Sequence, residues 1–375
     1  MRCGGAASGG LEEGSRHPGR AGAERRYHAG MPARAGRTLA LLTLVAVALA
    51  VAAAFLSVEP VPAPDGAVAL DVTPVPLDPT NPARDAVGPL RYQGGLWLRS
   101  KDPRFGGLSD LRVSRDGARL FAVSDCGYGF TAALSYDEAG RLAGVADGDL
   151  VALTAPAGGE PGLRDEDAES LVLGDELEVG FEGRARVLGY AVEPAFAGPA
   201  RTLPIPPGVA WCGWNQGIET MADIGGGRRL FVCEGRRHAS STVPAWIGQY
   251  GEWTEREYPL AFEGGWAGEP FRPTGATLLP DGDVLLVERR FPPIGARLVR
   301  LSRETLDGSG ELSAREIARL QAPLTLDNFE GVEARSDAAG RTLVYVLSDD
   351  NSCAKVGARG SPLQRTLLLM FALEG

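Results

Sequence analysis

The chain has 375 residues, 23% of them charged, and a formal net charge of −10. This acidic balance, which deepens once the basic residues 1–37 are set aside, argues against nucleic acid as a partner class. With 51 Gly, 27 Pro and only 7% aromatic residues, the composition suits many tight turns better than a helical core, and no long helical periodicity appears beyond residue 58.

Residues 1–37 carry seven Arg against three Glu without periodicity, and read as a basic, disordered segment whose first 30 residues reflect a start codon upstream of Met31. Residues 38–58 (TLALLTLVAVALAVAAAFLSV) contain no charge. Such a length spans a bilayer, with Arg34 and Arg37 holding the N-terminal side in the cytoplasm. The same residues also make a signal peptide, with small-residue cleavage positions around Ala48 to Ala54. Both readings export the remainder, either released to the periplasm or medium or anchored to the inner membrane by residues 38–58. Pro60, Pro62 and Pro64 open a Pro-rich linker over 59–88, and 89–375 remains as one domain. Without residues 1–37 the net charge becomes −14, and Lys101 and Lys355 are the only lysines.

Within that domain a polar, acidic cluster leading into an apolar strand recurs about every 50 to 60 residues: FGGLSDLRVS, DEDAESLVLG, NQGIETMADI, RPTGATLLPD and DNFEGVEARS. Four of the five are followed by a turn and a second apolar strand with a polar end: RLFAVSDCG, RLFVCEGRR, DVLLVERR and TLVYVLSDDN. Short strands at this period predict an all-β fold, a β-propeller of about five four-stranded blades. Six is the alternative count if a divergent blade hides in a longer loop. The last blade supplies only FEGVEAR, TLVYVLSD and RTLLLMFAL, so its outer strand is predicted to be PLRYQGGLWLRS from the N-terminal side, which closes the ring and removes exposed edges.

Four cysteines lie in the domain, and an exported protein with an even count suggests disulfides. Cys212 precedes one inner strand and Cys233 ends its antiparallel neighbour. Cys126 and Cys353 end the second strands of the first and last blades, which become neighbours on closure. The expected pairs are therefore Cys212–Cys233 and Cys126–Cys353.

In a meander blade the start of the inner strand and the end of the second strand share one end of the ring. The polar clusters therefore gather at one mouth of the central channel, including Asp110, Asp125, Asp167, Glu169, Asn215, Glu219, Glu234, Glu288, Asp327, Asn328, Glu330, Asp349, Asp350 and Asn351. Carboxylates at this density need a cation or arginines to neutralise them. Hard oxygen donors without thiolates or several histidines point to Ca²⁺, with Asp110, Asp125, Glu169, Glu219, Glu330 and Asp349 as its ligands. Alternatively Glu169, Glu219 and Glu330 accept hydrogen bonds from the next blade, and the Asp-Asn pairs merely shape turns. Arg236–Arg237 and Arg289–Arg290 occupy equivalent blade positions; strand alternation lets one of each pair face the channel, to grip an anion or balance the nearby Glu. His238, the one histidine of the domain, leaves no room for a multi-histidine metal site, and no G-x-S-x-G elbow accompanies it.

The ordered set GLSDL with SDCG, DAESL, NQGIETM with a Glu-Gly-Arg ending, PTGATLLPDGDVLLVERR, and DNFEGVE with LSDDN resembles the bacterial phytase-like domain family, also described as esterase-like activity of phytase. The resemblance covers about Leu96 to Leu373. It implies a secreted or periplasmic β-propeller that hydrolyses phosphate or other esters. The sequence is also similar in its acidic mouth to β-propeller phytases, which bind several Ca²⁺ ions, but it lacks their lysine-rich phosphate grip. Arginines would have to substitute, which argues against phytate itself.

The expected function is a monomeric, exported, Ca²⁺-dependent hydrolase of a phosphate ester or related small anionic ester. Glu219, Glu330 and Asp349 are the catalytic candidates; Arg237, Arg289, Asn215 and Asn328 are the substrate contacts. The alternatives are a metal-free carboxylic esterase or lactonase, and a non-catalytic binding propeller at the cell envelope.

Overall fold

The computed structural model describes residues 66–156, 166–209, 212, 218–235, 240–263, 268–291, 294–353 and 363–374. Residues 38–58 lie outside these; among the described residues no helix is long and apolar enough to cross a membrane. The first strands are β1 (Ala67–Val68), β2 (Asp71–Pro74), β3 (Ala86–Val87) and β4 (Leu90–Arg99). Next come β5 (Leu108–Val113), β6 (Arg119–Ser124), β7 (Tyr128–Tyr136) and β8 (Leu142–Ala152), followed by β9 (Ala168–Leu173), β10 (Leu177–Phe181), β11 (Arg186–Tyr190) and β12 (Arg201–Leu203). The third group is β13 (Ile218–Asp223), β14 (Arg229–Cys233), β15 (Thr242–Gln249) and β16 (Glu252–Pro259). The fourth is β17 (Arg272–Leu278), β18 (Val284–Arg290), β19 (Gly295–Leu301) and β20 (Ala314–Leu320), with the short helix α1 (Arg303–Asp307) between its last two strands. The chain ends in β21 (Asn328–Ser336), β22 (Thr342–Asp349) and β23 (Thr366–Leu373).

These strands form five antiparallel sheets, and the inner strands β5, β9, β13, β17 and β21 contact one another in a closed cycle. The count of five holds. So does the closure: β4 pairs with β23 from Leu90↔Leu373 to Leu98↔Thr366 and completes the last blade.

From residue 66 onward the stretch 59–88 differs from the linker reading. β1 extends blade 1 beyond β8, while β2 and β3 add to β4. The cause is an edge effect: each outer strand offers unpaired N–H and C=O groups, and short segments with Val68, Val72 and Thr73 cover them.

The second strand of each blade is apolar without alternation, as in RLFAVS, LEVGF, RLFVC, VLLV and LVYVL, because neighbouring blades cover both of its faces. The apolar clusters accordingly lie between blades. Three of the inner hairpins turn on a glycine with φ from +78° to +94° (Gly117, Gly282, Gly340), a backbone region that only glycine enters without cost. Preceding Asp116, Asp281 and Asp337 accept backbone N–H groups within those turns.

The channel is filled below its mouth. Arg112, on the innermost strand of blade 1, donates to the carbonyls of Leu111, Val332, Met221 and Ala276, which belong to the inner strands of blades 1, 5, 3 and 4. Its charge is met by Asp110 at 3.0 Å and Glu333 at 3.5 Å. Both expected disulfides are present, with Cα separations of 5.5 Å for Cys126–Cys353 and 5.8 Å for Cys212–Cys233.

Candidate functional site

One local irregularity, repeated in every blade, builds the mouth. Near its start each inner strand slips by one residue against the second strand, leaving Ser109, Glu169, Glu219, Thr274 and Glu330 as the extra residues. A bulge of this kind turns a side chain out of the regular alternation, here toward the channel rim. The residues facing the slip on the second strands are Ser124, Phe181, Cys233, Glu288 and Ser348. The positions that follow them are Asp125, Glu182, Glu234, Arg289 and Asp349. Two tiers result, with carboxylates from blades 1, 2, 3 and 5 and one guanidinium, Arg289, from blade 4.

Arg289 spans the tiers. Its Nη2 lies 3.1 Å from Glu234 Oε1 and its Nε 3.1 Å from Glu330 Oε1; the second contact is an ion pair without hydrogen-bond alignment. Asn328 Nδ2 donates to the same Glu330 oxygen at 2.7 Å. Asp349 accepts the Asn351 amide at 2.7 Å, and Asp350 accepts the Gly107 amide of blade 1 at 2.9 Å. Oxygens of Asp167, Glu169 and Glu182 lie within 4.8 Å of one another. Asp125 Oδ1 is buried and has no hydrogen-bond partner among the described residues.

This crowding shows in the acidities. Burial, then the charges of Glu330, Asp167 and Asp350, push Asp125 up to about 8. Glu330 is pushed up to about 7 by burial, against the opposing pull of Arg289. Glu169, Glu219 and Asp349 are raised well above the usual carboxylate range, by burial first and then by Glu219, Glu234 and Glu330 respectively.

Not all the residues expected at the mouth from the sequence are found there. Asp125, Glu169, Glu219, Glu330, Asp349, Asn328 and Arg289 do come together. Asp110 does not join them: one oxygen accepts Leu111 N–H and Arg112, the other accepts Leu171 N–H of blade 2. Pinning one blade to the next, considered above for the glutamates, is thus done by Asp110, together with Ser170 on Ile218 O and Thr274 on Phe329 O. Glu288 is buried against Arg297 and Tyr258, and Asp327 is held by Arg365 at 3.2 Å. Arg290 turns away from the channel to Glu263 and Phe271, as strand alternation requires. Asn215, Arg236, Arg237 and His238 lie outside the described residues. Glu182 was missed, although ELEVGFE places it one residue after a second strand, like Asp125 and Glu234.

Among the described residues the donor set, carboxyl oxygens in excess of guanidinium with the buried orphan oxygen of Asp125, fits a hard divalent cation. A closed ring of five meander blades around a filled channel, with a polar mouth at one end, defines the molecule as a β-propeller. The chain belongs to the phytase-like family, described as esterase-like activity of phytase, whose model matches residues 103–352. Among solved structures, the WD40 repeats of RRP9 align with a TM-score of 0.43 and 12% identity, covering 76% of this chain and 100% of that one. A luciferin-regenerating enzyme aligns at 0.37 and 12% over 81% of this chain and 98% of that one. The PQQ-bound aldose sugar dehydrogenase from Streptomyces coelicolor aligns at 0.36 and 12%, over 81% and 99%. At these scores none bears on the chemistry. No curated protein matches the chain.

Proposed function

We propose that the protein is an exported, Ca²⁺-dependent hydrolase of a small anionic ester, with phosphate esters as its first substrate class. The supporting observation is the charge imbalance at the mouth: among the described residues, carboxylates of four blades meet a single guanidinium, that of Arg289, which already serves Glu234 and Glu330. Export is supported by the uncharged segment 38–58 and by the two disulfides, which persist in oxidising compartments.

In this reading Asp167, Glu169 and Glu182, with Asp125, Glu330 and Asp349, hold the cation. When bound, it supplies an acidified water and a counter-charge for the transferring group. Arg289, which spans the acidic tiers, orients the anionic group of the substrate. Glu219 faces Glu182 and Glu234 and is held toward its protonated form by burial and those charges, so its carboxyl suits proton delivery to a leaving oxygen. Below the mouth Arg112 closes the channel, so substrate enters and product leaves at one end.

Assay of the purified protein with p-nitrophenyl phosphate, bis(p-nitrophenyl) phosphate and p-nitrophenyl acetate, with Ca²⁺ and with chelator, tests the reading. Ca²⁺-dependent phosphoester turnover that Glu219→Gln abolishes is expected. Chelator-insensitive acetate turnover alone would move the assignment to a carboxylic esterase, and no turnover on any substrate would move it to a binding propeller.

A further inference from the structure

Among the mouth carboxylates that oppose one another's ionisation, Asp125, Asp349 and Asp350 come from chain segments far apart in sequence. Asp125 follows blade 1's second strand and precedes Cys126; Asp349 ends blade 5's second strand and Asp350 follows it, shortly before Cys353. The disulfide between these cysteines crosses the seam where the ring closes, over a sequence separation of 227. A carboxylate oxygen of Asp125 and the two sulfurs all lie within 4.8 Å of one another. The same seam carries the Gly107 amide on Asp350 and a 3.7 Å contact from Cys126 Sγ to the Ser352 carbonyl.

The ring itself does not need this bond. β4 already completes blade 5, inner strands β21 and β5 touch, and a continuous apolar cluster joins Leu108, Leu111 and Phe130 of blade 1 to Leu347, Leu368 and Met370 of blade 5. What the bond does oppose is local: Asp125, Asp349 and Asp350 crowd three carboxyl groups onto two chain segments, and ionising them, as a cation site requires, would drive those segments apart. Both sulfurs are buried, Cys126 at 2% and Cys353 at 5% exposure, so the bond is a permanent clamp and not an accessible redox switch.

We infer that the Cys126–Cys353 disulfide is a positioning element of the mouth, which holds Asp125 of blade 1 against Asp349 and Asp350 of blade 5 so that a divalent cation meets preassembled oxygen donors. This rests on the cation reading given above. The test is a Tb³⁺ luminescence titration, with Ca²⁺ as competitor, on the whole protein and on C126S/C353S, alongside melting without cation.

Groups that orient metal ligands typically matter 10- to 100-fold in affinity, so the variant should bind Tb³⁺ and Ca²⁺ at least about tenfold more weakly while still melting cooperatively. Its turnover at saturating Ca²⁺ should be recovered, a separation that general loss of stability would not produce. Unchanged affinity in a folded variant overturns the inference and leaves the cation reading standing. A wild-type protein without any Tb³⁺ or Ca²⁺ response overturns that reading, and the inference with it. Since both positions lie in an apolar cluster, C126A/C353V repeats the titration if the serine pair does not fold.

Discussion

Replacing Arg112 by methionine removes the plug and isolates the charges built around it. Asp110 is fully buried and Glu333 nearly so, and four main-chain carbonyls of four blades lose their donor at once. Taking one partner out of a buried ion pair costs about 3–5 kcal/mol, because the other charge stays behind. At about 2.1 cal/mol/K per residue, a ring of roughly 300 residues loses about 1.6 °C of Tm per kcal/mol, so the expected drop is about 5–8 °C. The pH dependence follows from burial, which already pushes Asp110 up to about 6 and Glu333 up to about 7 against the pull of Arg112. Without the arginine both rise further above their unfolded values, so their contribution is complete below those unfolded values and is lost as pH rises through the folded ones. The deficit of R112M should therefore be larger at pH 8 than at pH 5, and D110N/R112M should recover part of it by removing both charges. Thermal melting by circular dichroism at the two pH values measures this. An R112M protein that melts within about 1 °C of wild type at pH 8, or whose deficit is greater at pH 5, would refute the keystone role.

The mouth carboxylates should make the metal-stripped wild-type protein melt at lower temperature at pH 8.5 than at pH 5.5: folded values of about 8 for Asp125 and about 7 for Glu330 lie above the unfolded ones, so stability is lost as pH rises through them. A rising melting curve over that range would contradict the burial assigned to both groups. Gly275 sits where a Cβ would be 2.3 Å from the Glu330 carbonyl of the next blade, so Gly275→Ala should cost at least about 2 kcal/mol by denaturant unfolding, since main-chain atoms cannot swing aside. Gly174→Ala, with no atom nearer than 3.9 Å, is the control and should stay within about 0.5 kcal/mol. Arg289→Met should lower kcat/KM on a phosphomonoester about 100-fold or more while leaving Ca²⁺ affinity no weaker, because the group it removes is an anion contact and a like charge to the metal. Equal activity would reassign Arg289 to charge balance.

The blades were legible because each is a unit of local pattern: apolar second strands, turn glycines after Asp, and a polar cluster where the inner strand begins. Closure by β4 was legible for a related reason, since a blade with three strands leaves an edge and PLRYQGGLWLRS was the unassigned strand able to cover it. Geometry finer than period was not. Whether Asp110 or its neighbour Ser109 occupies the bulge depends on a one-residue slip, and that slip sent Ser109 to the rim and Asp110 inward to Arg112 and Leu171. Glu288, expected at the mouth beside Arg289, turns to Tyr258 and Arg297, while Arg289 stays at the mouth as expected. Arg112 carried no signal at all, because an arginine on an inner strand reads as an anion contact or a solvated charge until four carbonyls are seen around it. Strands β1, β2 and β3 were hidden by the prolines around them.

Everything proposed for the mouth depends on its being a cation site. Ca²⁺ titrated into the metal-stripped protein, with melting temperature as the readout and Mg²⁺ as the control, addresses that directly. A ligand that binds only the folded state raises stability by mass action, by about 2.7 kcal/mol at 100 times its Kd, or roughly 4 °C for a ring of this size. A saturating, Ca²⁺-selective rise of that order is the expected result. A melting temperature that stays flat as Ca²⁺ passes into the millimolar range would mean that protons and arginines neutralise these carboxylates, and the metal-dependent hydrolase would have to be given up.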